Sequence, residues 1–132
     1  MTLWLCDYHG HPYALSDPEE AGRRFDEQVR AVMPHGGRGQ TLTVGPAGQP
    51  VLRVDVDIDA DRAAVRWLPD NSYATTPEAA DTGITVYESA DVGLVEIPTA
   101  LVGLDTATAR GLVMEYVATA QRPAGVSWIR QA

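Results

Sequence analysis

The chain reads as an α+β domain: a mostly antiparallel β-sheet with two main helices packed on one face. Three observations predict this. Apolar and charged residues alternate over residues 52–58 and again over 62–67, the period-two pattern of a half-buried hairpin. Two other stretches, opening at Asp17 and Asp105, carry apolar residues at helical spacing behind a capping side chain. The strands come in hairpins and the helices lie near the two ends, which favours helices segregated to one side of an antiparallel sheet.

Taken in order, Leu3 and Leu5 open an apolar strand ending near Tyr8, and the Gly10-His11-Pro12 stretch breaks it. Asp17 is a good helix N-cap, Pro18 suits the first helical position, and Glu20 sits where a capping-box carboxylate would. Ala21, Phe25, Val29 and Val32 form the inner stripe of this helix, which Pro34 and Gly36-Gly37 end. Residues 41–44 read as a short strand and 45–48 as a turn. In the following hairpin, Leu52, Val54, Val56 and Ile58 share a face with Ala63, Val65 and Trp67. The other face then carries Asp55 or Asp57 opposite Arg66 or Arg62. A one-residue slip would bury that charged row, so the alternation sets the register.

Residues 68–83, rich in Pro, Thr, Ala and Asp, read as a long loop. A second hairpin spans 84–87 and 92–97, turning near Ser89-Ala90-Asp91. Asp105 caps a second helix with Ala109, Leu112, Val113, Tyr116 and Ala120 facing inward, and Pro123 and Gly125 terminate it. Residues 126–129 form a last strand. Trp67 is expected in the core, and Trp128 there too or else anchoring a partner; Trp4 lies out of phase with Leu3 and Leu5.

At 132 residues the chain is expected to form a single domain, 1–132, able to fold without disulfides or metals. The one cysteine, Cys6, reads as a small core residue and suits a reducing, cytoplasmic setting. No apolar run approaches a membrane span, and the first residues lack the basic and apolar regions of a signal peptide. The formal net charge is −8, from 18 acidic against 10 basic residues. That surplus argues against direct nucleic-acid binding, which needs a basic footprint, and suits an encounter with a basic partner.

Few residues point to chemistry. Asp55, Asp57, Asp59 and Asp61 alternate, but Val54, Val56 and Ile58 fill the gaps, and neither the glycine nor the closing glutamate of a calcium loop is present. The row reads as a solvated, acidic strand face. His9 and His11 flank Gly10 without a third ligand at zinc spacing, and with His35 they read as loop histidines. Ser72, Ser89 and Ser127 lie in no nucleophile-elbow context, and no phosphate-binding glycine loop is found. No metal, cofactor or catalytic residue is expected.

The C-terminal third carries a resemblance. Leu101-Val102-Gly103-Leu104-Asp105, the helix through Met114-Glu115-Tyr116, then Thr119-Ala120-Gln121-Arg122-Pro123 and Val126-Ser127-Trp128 resemble immunity-protein family one, the first-numbered such family of bacterial polymorphic toxin systems. The sharp part covers about the last 35 residues; the first strand and the capped helix from Asp17 agree in outline. Ala120 departs from the pattern, which has Gly there to form a left-handed helix cap. The resemblance implies a cytoplasmic, non-enzymatic inhibitor, monomeric or weakly dimeric. Its partner would be a cognate toxin domain, a basic nucleic-acid deaminase or nuclease. Charge and expected exposure then nominate toxin-binding residues: Asp55, Asp57, Asp59 and Asp61 on the first hairpin; Asp70, Asn71 and Tyr73 in the long loop; Glu88 and Asp91 at the second hairpin's tip. The alternatives are a small-ligand or enzymatic α+β domain, with His9, His11, Glu96 and Tyr116 as its first candidates, and an oligomeric scaffold.

Overall fold

The computed structural model describes residues 2–76 and 83–131. Among these, an antiparallel sheet runs in the order β2-β1-β3-β4-β5-β6-β9, formed by β1 (Leu3–Cys6), β2 (Pro12–Leu15), β3 (Gln40–Pro46), β4 (Leu52–Asp57), β5 (Arg62–Trp67), β6 (Ser72–Thr75) and β9 (Ser127–Arg130). The hairpin of β7 (Ile84–Ser89) and β8 (Gly93–Ile97) branches from it, β7 lying parallel to β3 at Gln40↔Tyr87. The helices are α1 (Pro18–Val29) and α2 (Thr106–Thr119). The α+β class predicted from the sequence is what the chain forms.

Local chemistry explains both helix starts. The Asp17 carboxylate accepts from the Glu20 N–H at 2.8 Å, and Glu20 reaches back to the Ser16 N–H at 2.8 Å, closing a reciprocal cap. Asp105 accepts from the Thr108 N–H at 2.7 Å. The first helix ends earlier than its periodicity suggests: Val32, expected on the inner stripe, is 58% exposed beyond the last turn, and Met33 is buried instead. Ala120 also leaves the inner stripe. It is the exposed C-cap of α2, with φ 56° and ψ 24°, the left-handed geometry that favours glycine.

Two strands lie where turns or loop were expected. β2 begins at Pro12, which can open an edge strand because its missing N–H faces away from the ladder. β6 falls inside the predicted long loop, so Tyr73 is a strand residue paired with Arg66 and Ile129. Residues 77–82 of that loop lie outside the described residues.

The sheet is buried on both sides over β4 and β5. One face packs Leu5, Leu42, Val54, Val56 and Val65 against Phe25 and Val29 of α1 and Leu112 and Val113 of α2. Each such side chain contributes about 1.5–3 kcal/mol when fully buried. The other face is partly covered by β7 and β8: Ile84, Val86, Ile97, Leu101 and Val102 enclose Ala64. Gly39 permits this crossing, since a Cβ there would collide with the Thr85 carbonyl. Trp67, half-buried, meets Tyr116 edge-on at 5.6 Å and Trp128 at 6.5 Å, and the Trp128 indole donates to the Pro123 carbonyl at 2.7 Å. Trp128 thus ties the last strand to the end of α2.

Candidate partner-binding surface

The face opposite the helices is where the acidic row of β4 projects. The β4–β5 register places Asp57 across from Arg62 and Arg53 across from Arg66, with Asp55 facing the small Ala64. Beside that small residue Arg66 leans in diagonally from β5, and Arg53 reaches Asp55 from two positions back on β4, within the reach of long side chains. Asp55 accepts from Arg53 Nη2 at 3.1 Å, from Arg66 Nη2 at 3.0 Å and from Thr41 Oγ1 at 2.7 Å. Arg53 also holds Glu88 at 2.7 Å. Asp55 is fully buried. Burial opposes the Arg53 charge, but Asp55 and Glu88 beside it outweigh that and raise its pKa.

This corrects the expected acidic stripe. Asp55 cannot touch a partner, and with Glu88 it balances two guanidiniums in a neutral cluster. The cause is the β7–β8 hairpin, which covers a face that an isolated hairpin would leave wet.

The other nominated residues are largely engaged in holding turns. Asp57, half-buried, accepts from the Asp59 N–H at 3.0 Å. Asp59 is exposed and pairs with Arg38 at 3.0 Å. Asp61, at φ 52°, accepts from the Thr106 N–H at 3.1 Å and so fastens the start of α2. Asp70 accepts from Ser72 Oγ at 2.6 Å and from Arg122 at 3.2 Å. The Ser72 hydroxyl leads in lowering the Asp70 pKa. Asn71 is exposed in a left-handed turn at φ 57°. Tyr73 is half-buried against the second core cluster. Asp91 is exposed and in no ion pair among the described residues.

These residues do not form one face. Asp61 binds the first residue of α2, and Asp70 binds Arg122 just past its end. The 14 residues of that helix put the two about 20 Å apart. The four residues nominated for a small-ligand site disperse as well. Tyr116 is buried among the helix-face core residues, Glu96 is exposed on β8, and His9 and His11 lie on the β1–β2 turn.

A different surface comes together around the second hairpin, at whose tip the sequence nominates Asp91. Asp7 accepts from the backbone N–H groups of His9 and His11, both at 2.9 Å, and shapes the turn after β1. That turn stacks Tyr8 against His9 at 4.2 Å and sets Tyr8 edge-on to Tyr87 at 5.4 Å. His35 lies nearly parallel to Tyr87 at 6.1 Å, and His11 is 5.5 Å from His9. Leu94, the cross-strand partner of Tyr87, is 50% exposed, and Val92 at the same tip is 57% exposed.

On the far side of the turn lies a groove of about 490 Å³ bordered by Trp4, Cys6, Gly10, Pro12, Thr43 and Gly45. Cys6 is therefore half-exposed on the groove rather than in the helix-side core. Partial burial raises its thiol pKa, opposed by a hydrogen bond with Thr43, which disfavours the reactive thiolate.

One signal in the sequence could have found this surface. In β7 and β8 the buried set is Ile84, Val86 and Ile97, so Leu94 stands in phase with polar Thr85 and Glu96. An apolar residue on the wet phase of a strand marks a surface with a use. Chemically, the arrangement supplies aromatic faces, two aliphatic side chains and nearby carboxylates, the material of non-covalent recognition. Among the described residues, no group of three or more His, Cys, Asp or Glu is placed to hold a metal ion. None of the described helices is long and apolar enough to cross a membrane. Compared with known families and with curated proteins, the chain matches none.

Proposed function

We propose that this chain is an immunity protein of the cytoplasm that binds a cognate toxin domain and occludes its nucleic-acid-binding surface. The observation that carries the reading is the distribution of charge. Among the described residues, seven of the ten arginines hold a carboxylate of the same chain, while Glu19, Asp91 and Glu96 stand exposed. Five of those seven arginines are paired at the surface and two, Arg53 and Arg66, mostly inside it, so the acidic surplus of −8 is what the chain leaves for a partner. A deaminase or nuclease must present a basic surface to its polyanionic substrate, and an acidic protein competes for that surface and meets it quickly. The C-terminal resemblance supports the same reading. Occlusion at a standard interface would bury about 1,600 Å² in total.

The test is direct. The toxin domain encoded beside this chain is purified, and its activity on nucleic acid is measured with the chain added in increasing amounts. Stoichiometric loss of activity is expected, with association slowing about tenfold or more between low and physiological salt. Full toxin activity under a large excess of the chain would end the proposal.

A further inference from the structure

We propose that the patch formed by Tyr8, His35, Tyr87 and Leu94, with Asp91 and Glu96 near it on the same hairpin, is the docking surface for a cationic protein partner; this rests on the toxin-inhibitor reading and names the face it would use. Among the described residues, Leu94 and Val92 are two of the four large apolar side chains left exposed, and both lie on this hairpin. Tyrosine rings offer π-faces to arginine or lysine, and aromatic residues are the usual energetic centres of interfaces. The patch is fixed in advance. The Tyr87 N–H donates to the Gly39 carbonyl at 2.8 Å, and its ring is flanked by Tyr8 and His35. Little side-chain freedom is then lost on binding.

Charge selects the occupant. Asp91 and Glu96 are exposed and take part in no ion pair among the described residues. The nearby guanidinium of Arg53 is already held by Asp55 and Glu88, so it does not cancel them. Nucleic acid would be repelled. A second copy would set Asp91 and Glu96 against their equivalents and bring together two chains of −8 each. A protein loop bearing arginine or lysine fits, its aliphatic stem on Leu94 and its charge toward the carboxylates.

The experiment measures binding of the toxin domain encoded beside this chain to wild type, to Leu94→Arg, to Val92→Asp, and to Asp91→Arg with Glu96→Arg. Glu27→Arg and Glu19→Arg, on another exposed surface, serve as comparisons. Because Leu94 is half-exposed, Leu94→Arg should melt close to wild type, and Val92→Asp repeats the test at a more exposed position. Leu94→Arg is expected to weaken binding about 30-fold or more. The charge-reversed pair should slow association about tenfold and flatten its salt dependence. The two comparison variants should stay within about threefold of wild type. Wild-type affinity in Leu94→Arg and Val92→Asp, with or without binding lost in Glu27→Arg or Glu19→Arg, would overturn the assignment of this face and leave the inhibitor reading intact. A wild-type chain that does not bind the toxin at all would end both. Sedimentation showing a dimer that Leu94→Arg dissociates would give the patch to a second copy and overturn the cationic partner.

Discussion

The two hairpins of this protein invert each other. In β4–β5 the charged row looks like a solvent face, yet Asp55 is completely buried and bound by two arginines and a threonine. In β7–β8 the alternation looks ordinary, yet Leu94 and Val92 stand in water beside Tyr87. The difference is position. β4 and β5 are central strands, covered on one face by helices and on part of the other by β7 and β8. Among the described residues β8 pairs only with β7, and Leu94 and Glu96 on its outer face are exposed. A charge on a central strand must find partners or cost several kcal/mol. An apolar group on an edge strand costs the fold little and remains available to another molecule.

The comparison can be broken most forcefully at Asp55. Removing its carboxylate leaves Arg53 and Arg66, each about one-fifth exposed, without their shared counter-ion. Asp55→Ala is expected to lose about 3 kcal/mol of stability by urea unfolding, whereas Leu94→Arg should change it by no more than about 0.5 kcal/mol. Equal losses in the two variants would show that the hairpins do not differ as described. Asp61→Ala comes next. It removes the hydrogen bond to Thr106 and puts alanine at φ 52°, so a loss of about 1.5 kcal/mol is expected. Asp59→Ala, at an exposed ion pair on the same turn, should lose less than about 1 kcal/mol. Comparable in size and opposite in sign is Ala120→Gly, which relieves the left-handed cap of α2. It should stabilise the chain by about 1 kcal/mol, a rise in Tm of roughly 4 °C. A fall in Tm would mean that the cap is not strained.

Acid should act on caps and turns. Glu20 has its pKa lowered first by the Ser16 backbone, Asp70 by the Ser72 hydroxyl and Asp105 by the Thr108 side chain. A carboxylate lowered in the folded state contributes its stability above its unfolded value, about 4, and loses it as pH falls through the folded value. Thermal melts should therefore fall progressively below about pH 4. Ser16→Ala and Ser72→Ala, which remove hydroxyl partners of Glu20 and Asp70, should make that fall shallower.

The C-terminal segment that carries the family resemblance proves to be a brace. Thr119 Oγ1 returns to the Glu115 carbonyl at 3.1 Å, Arg122 reaches Asp70, and the Ala124 N–H donates to Glu115 at 2.7 Å. Arg122 also lies over the Trp128 ring at 5.5 Å. These contacts stitch the end of α2 to β6 and β9. The segment thus explains how the fold closes, while the candidate docking patch draws on β7, β8 and the turns that follow β1 and α1.

Much of the architecture is legible in the residues alone. Caps at Asp17 and Asp105 and the alternation from Leu52 to Trp67 are local chemistry, decided by neighbours a few residues away. β2 and β6 were not legible, because four-residue strands carry too little pattern and acquire their identity from β1, β5 and β9 beside them. Nor was the site. Which carboxylates would be neutralised depended on where β7 crossed the sheet, a contact between Gly39 and Thr85 that lie 46 positions apart in the chain. Sequence by itself determined both helices, the longer strands, the register of β4 on β5 and the acidic surplus, all of them near-neighbour or summed properties. Tertiary structure alone decided which side chains meet water, because burial is a property of the whole packed surface and not of any one strand.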